Sequence, residues 1–78
     1  MRMRMAHGPA IRAIREALGI RHGKFAIECG ISPGYLTNVE KGVKQPSETV
    51  VSSIAARLGV TKDEITYVVT AEAIKTGK

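Results

Sequence analysis

Apolar residues recur at intervals of three and four from residue 10 to about residue 58, in runs separated by glycine, proline and serine. Ala10, Ile11, Ile14, Ala17 and Leu18 share one side of a helix, with Arg12, Arg15 and Glu16 elsewhere; Pro9 near its start and Gly19 just past its end predict a helix over residues 9–18. A second begins near Arg21 or His22 and turns Phe25, Ala26 and Cys29 inward, although Gly23 weakens its first turn by about 1 kcal/mol relative to alanine. A third, over residues 33–41, buries Leu36 and Val39. Pro46 and Ser47 close the next loop and cap a fourth, whose Val50, Val51, Ile54, Ala55 and Leu58 keep near-helical spacing until Gly59. Thr61 opens a fifth through the capping-box pattern Thr61-Lys62-Asp63-Glu64. Beyond it the pattern conflicts. Ile65-Thr66-Tyr67-Val68-Val69-Thr70 is β-branched and aromatic and favours a strand, whereas Ala71-Glu72-Ala73-Ile74-Lys75 favours helix. The expectation is helix to about Val69, and the fold class is all-α: a compact bundle of about five short helices.

Residues 25–42 carry the most information. They read as two short helices joined by one tight turn, the layout of a helix-turn-helix. Gly30 stands where the chain must reverse through a left-handed conformation, which costs a residue with a Cβ about 1 to 2 kcal/mol and glycine almost nothing. Ser32 then caps the next helix through its hydroxyl, and Pro33 at the first helical position gives up an amide that has no partner there. Gly42 ends that helix.

Length and composition narrow the function. A chain of 78 residues predicts one domain, with a basic, flexible arm over residues 1–8, a folded unit over 9–74 and a short flexible tail over 75–78. The single cysteine, Cys29, has no disulfide partner, and two histidines far apart in sequence make no zinc pattern, so neither metal nor cofactor is expected. Cys29 reads as a small buried hydrophobe. No apolar run reaches the ~18 residues of a membrane span or the pattern of a signal peptide, which predicts a cytoplasmic location and no membrane partner. No small-molecule ligand is evident. No nucleophile, base and acid set or glycine-rich phosphate loop is present, and the adjacent acids Asp63 and Glu64 belong to a helix cap, so an enzyme is not expected. Charge points elsewhere. Residues 1–45 hold eight Lys and Arg against three Glu, whereas residues 46–78 balance at four against four. All of the net +5 therefore lies in the half that carries the helix-turn-helix, as a phosphate-facing surface requires.

The pieces Ile14-Arg15-Glu16-Ala17 with Gly19-Ile20, Phe25-Ala26, Gly30-Ile31-Ser32, Tyr35-Leu36, Val39-Glu40-Lys41-Gly42, Pro46-Ser47, and Ile54-Ala55 with Leu58-Gly59-Val60 stand in the order and spacing of a known pattern. Over about residues 9–66 the chain resembles the lambda-repressor-like family of DNA-binding domains, which includes the phage repressors and Cro proteins. The resemblance implies double-stranded DNA as partner, with the third helix in the major groove and the second across the backbone. On the third helix Pro33, Gly34, Thr37, Asn38 and Lys41 face away from Leu36 and Val39 and are the implied base readers; Asn38 leads, since a carboxamide pairs bidentately with adenine. Arg15, His22, Lys24, Tyr35 and Lys44 are the implied phosphate contacts, with Lys41 able to serve both. Arg15 and Glu40 fall where the family pairs an arginine with a glutamate beneath the helix-turn-helix. The chain departs from the family in having His22 where glutamine is common, and Pro33 and Gly34 where polar base readers stand. The implied function is a sequence-specific transcriptional regulator, a repressor acting as a homodimer on a pseudo-palindromic site. The alternative is an antitoxin-like or other protein-interaction module of the same fold. Tyr67, Val68 and Ile74 are the expected dimer contacts, because Ile65, Val68 and Val69 exceed what a five-helix core needs and Tyr67 with Ile74 leaves further apolar surface near water.

Overall fold

The computed structural model describes residues 2–70. A first strand, β1 (Arg2–Ala6), leads into four helices, α1 (Gly8–Ala17), α2 (His22–Glu28), α3 (Pro33–Glu40) and α4 (Glu48–Leu58); a 3-10 turn at Lys62–Ile65 and a second strand, β2 (Thr66–Thr70), follow. The helices start where local chemistry satisfies their first amides. Ser32 Oγ accepts from the Tyr35 amide at 3.1 Å, and Ser47 Oγ accepts from the Val50 amide at 3.3 Å. Helix α1 begins at Gly8 because His7 is its cap: Nδ1 accepts from the Ala10 amide at 3.0 Å. Gly30, at φ +79°, reverses the chain after α2, and the amides of Gly30 and Ile31 bond the carbonyls of Ile27 and Ala26.

Every helix sends its apolar stripe into one core. Ile11 of α1, Phe25 and Ala26 of α2, Leu36 of α3, Ile54 of α4 and Ile65 of the 3-10 turn are completely buried, with Val39 beside them. Packing at this density explains why α2 and α3, too short to be stable alone, hold their shape.

The fifth helix is not formed. Both halves of the capping box exist, the Glu64 amide donating to Thr61 Oγ1 at 3.3 Å and the Thr61 amide to Glu64 Oε1 at 2.8 Å, yet only one 3-10 turn follows. At Thr66 the backbone becomes extended. The β-branched run prefers that geometry, and a partner strand is within reach: Thr66–Thr70 pairs antiparallel with Arg2–Ala6 in the register Arg2↔Thr70, Arg4↔Val68 and Ala6↔Thr66. Residues 2–6, expected as a flexible arm, are therefore one strand of a ribbon. Arg4 fastens it, with Nε donating to Thr66 Oγ1 at 2.9 Å and Nη2 pairing with Asp63 at 3.2 Å. Ile65 also changes role, from surplus apolar surface to buried core. Ile74 and the tail over 75–78 lie outside the described residues.

Candidate nucleic-acid interface

The outer surface of α3 is set by what its inner surface must do. Leu36 and Val39 fill the core, which leaves Gly34, Thr37, Asn38 and Lys41, spaced i, i+3, i+4 and i+7, as one stripe on the other side. Pro33 is exposed at the edge of that stripe, and Tyr35 is half-buried against the core. The Asn38 carbonyl accepts from the amides of Val43 and Lys44 at 2.8 and 3.1 Å, folding the following loop back onto the end of the helix and bringing Lys44 with it.

Three contacts fix where α3 sits. Arg15 Nε donates to Glu40 Oε2 at 2.8 Å, Nη2 to Oε1 at 3.4 Å, and Nη1 to the Ile20 carbonyl at 2.9 Å. Both side chains are buried, so this fork ties α1 to the end of α3. Gly8 makes the second contact. A Cβ there would lie 2.4 Å from the Val39 carbonyl oxygen and 2.5 Å from that of Glu40, so the start of α1 touches the last turn of α3 backbone to backbone. The third is polar: Thr37 Oγ1 lies 3.0 Å from His22 Nε2 and donates to the Pro33 carbonyl at 3.1 Å, which joins the first residue of α2 to the middle of α3. Arg12, Arg15, His22, Thr37, Glu40 and Lys41 together line an open cavity of about 340 Å³ between α1, α2 and α3.

Charge is arranged around the same helix. Arg4, Arg12, Arg15, Arg57 and Lys62 are paired with Asp63, Glu16, Glu40, Glu28 and Glu48 respectively. Among the described side chains the basic residues without a carboxylate in pairing range are Arg21, Lys24, Lys41 and Lys44, all exposed. They occupy the cap of α2, the first turn of α2, the cap of α3 and the loop after it. Among the described residues, pairing neutralises the other Lys and Arg side chains and leaves positive charge at the start of α2 and just after α3.

Sequence reasoning placed Lys24, Lys41 and Lys44 in this frame but missed Arg21. The available signal was that Arg21 stands where a capping Ser or Asp is common, and its side chain makes no cap bond. It also missed His7 and Gly8, whose roles depend on contacts distant in sequence. Arg15, expected to touch phosphate as well as Glu40, is mostly buried with its donors directed at Glu40 and Ile20. Cys29 is buried, and desolvation pushes its thiol pKa up.

A family model described as helix-turn-helix matches residues 11–65. The chain belongs to the lambda-repressor-like helix-turn-helix family. This helix-turn-helix chain is 39% identical over 61 residues to two proteins described as uncharacterized HTH-type transcriptional regulators, Rv0474 and MT0491, from two strains of Mycobacterium tuberculosis. Each match takes in 78% of this chain and 43% of the relative, so the chain spans less than half of their length. Among solved structures, the clp gene regulator ClgR of Corynebacterium glutamicum is similar at a TM-score of 0.68 and 33% identity, covering 70% of this chain and 58% of that one. The restriction-modification controller protein C.AhdI of Aeromonas hydrophila is similar at 0.69 and 26%, covering 73% and 86%. Among the described residues of the helix-turn-helix chain, no helix is long and apolar enough to cross a membrane.

Proposed function

We propose that this chain is a sequence-specific double-stranded DNA-binding transcriptional regulator that places α3 in the major groove and α2 across the backbone, and acts as a dimeric repressor on a pseudo-palindromic operator. The observation that carries this reading is the coincidence of two features: the outward stripe of α3 and, among the described side chains, the four basic residues without a carboxylate in pairing range, which stand at the start of α2 and just after α3. Asn38 and Lys41 are the polar readers. Asn38 suits adenine N6 and N7, and Lys41 suits guanine or phosphate. Arg21, Lys24 and Lys44 hold phosphates, with Tyr35 and His22 nearby. The second copy docks on the ribbon, where Tyr67 and Val68 are each 44% exposed and a two-stranded sheet leaves open edges.

Selection of bound duplexes from a random library, followed by affinity measurements across salt concentrations, tests the reading. A single enriched half-site motif, repeated with two-fold symmetry, is expected. Asn38→Ala should cost about 1 to 3 kcal/mol on the selected operator and much less on random DNA. Lys44→Ala should weaken all sequences alike and lower the salt slope by about 0.9. Failure to enrich any motif above random DNA would reject the proposal.

A further inference from the structure

We infer that the first turn of α3 reads a 5-methyl group in the major groove, carried by thymine or 5-methylcytosine, and that Thr37 is the residue that determines this specificity. The inference deepens the DNA-binding reading and rests on it. It follows from what this turn lacks. Pro33 offers an exposed ring with no donor or acceptor in its side chain. Gly34 offers no side chain, and a Cβ added there would meet no atom within 4 Å, so the space above it is open.

Thr37 is the decisive residue because its hydroxyl is already engaged. A hydroxyl has one hydrogen, and this one is donated to the Pro33 carbonyl at 3.1 Å. The imidazole of His22 lies 3.0 Å from the same oxygen, which accepts from the tautomer that carries its hydrogen on Nε2. Two partners on different elements, the backbone of α3 and the side chain of α2, hold the side chain in one rotamer. With its one hydrogen spent, Thr37 has no donor left for a base and offers its methyl group.

A base edge entering this turn therefore meets ring carbons, a bare Cα and a methyl. A carbonyl group pressed there would give up water without gaining a donor. The one apolar feature that the four standard bases show in the major groove is the C5 methyl of thymine, and 5-methylcytosine carries the same group at the same ring position. The open space over Gly34, one helical turn from Thr37, admits it. Polar reading then passes to Asn38 and Lys41 further along the stripe. The absence of polar side chains at Pro33 and Gly34 becomes a change in what is read, from hydrogen-bonding edges to methyl groups.

The test uses the operator obtained by selection. Each thymine is replaced in turn by deoxyuridine, which removes only the methyl, and each cytosine by 5-methylcytosine, which adds only that group. At one or more positions in each half-site, the methylated base should bind about fourfold tighter than its unmethylated counterpart, the effect of burying one methyl-sized group. A difference at a thymine identifies thymine as the source, and a gain on methylating a cytosine identifies 5-methylcytosine. Thr37→Ser, which keeps the hydroxyl and removes the methyl, should abolish the difference at that position; Thr37→Val, which keeps a methyl and loses the hydroxyl, should retain it. Equal binding of methylated and unmethylated bases at every position, or full discrimination by Thr37→Ser, would overturn the inference while leaving DNA binding intact. A chain that selects no operator would overturn the DNA-binding reading and this one together.

Discussion

Replacing Glu40 with alanine isolates the contact that seats α3. In the folded chain the Arg15 and Glu40 side chains are 8% and 6% exposed, and the guanidinium grips both carboxylate oxygens. Without Glu40, Arg15 keeps its bond to the Ile20 carbonyl and a distant approach to Glu16 at 3.9 Å, a carboxylate that is itself 54% exposed. An exposed pair would be worth about 1 kcal/mol or less, whereas removing one partner of a buried pair costs about 3 to 5 kcal/mol because the remaining charge stays desolvated. The remaining Ile20 and Glu16 interactions place the expected loss near the lower end, about 3 kcal/mol. For a domain of this size each kcal/mol lowers Tm by about 4 to 8 °C, so Glu40→Ala should melt about 12 to 24 °C below wild type. Circular-dichroism melts of Glu40→Ala, Arg15→Ala and the double variant complete the cycle. The double variant should be far less destabilised than the sum of the singles, because it leaves no buried charge unpaired. Apolar replacement of both residues, Arg15→Met with Glu40→Leu, should fall within about 1 kcal/mol of wild type or above it. Single variants that each lose under about 1 kcal/mol, with no coupling, would refute the argument from burial.

Gly8→Ala forces a Cβ against two α3 carbonyl oxygens, so it should cost about 1 to 3 kcal/mol and weaken operator binding more than random-DNA binding; an unchanged melt would show that the contact yields freely. Because burial raises the Cys29 thiol pKa, the stability contributed by the neutral thiol is full below its unfolded value of about 8.5 and is lost as pH rises through the raised folded value. Iodoacetamide should therefore modify Cys29 slowly in the native chain at pH 8.5 and rapidly in urea, and equal rates would contradict its burial. Tyr67→Asp, at an exposed position on β2 where the ring packs edge-on to His7 at 5.9 Å, should cost about 0.5 to 1.5 kcal/mol of stability while producing a monomer in sedimentation and abolishing cooperative binding to a two-half-site duplex. Wild-type cooperativity in that variant would place the dimer contact elsewhere.

The amino-acid sequence by itself determined the features whose causes lie within a few residues. Four helices, the inward set Ile11, Phe25, Leu36, Val39 and Ile54, the reversal at Gly30 and the caps at Ser32 and Ser47 all follow from spacing and from side chains that reach their own neighbouring amides. The outward stripe on α3 was legible for the same reason, since burying Leu36 and Val39 dictates which residues face away. The first and last segments were not. Residues 65–70 carried a strand signal next to a helix signal in residues 71–75, and a strand needs a partner: Arg4 and Thr66, bonded across the ribbon, are 62 positions apart. No local pattern reports that meeting. Burial of the Arg15–Glu40 fork, the backbone contact at Gly8 and the bond from His22 to Thr37 likewise exist only once α1, α2 and α3 have packed. The sequence supplied the charges, but only packing decided which would be paired and which would be left facing outward around α3. Ion pairing depends on distances of a few ångströms between elements far apart along the chain, and tertiary structure alone sets those distances.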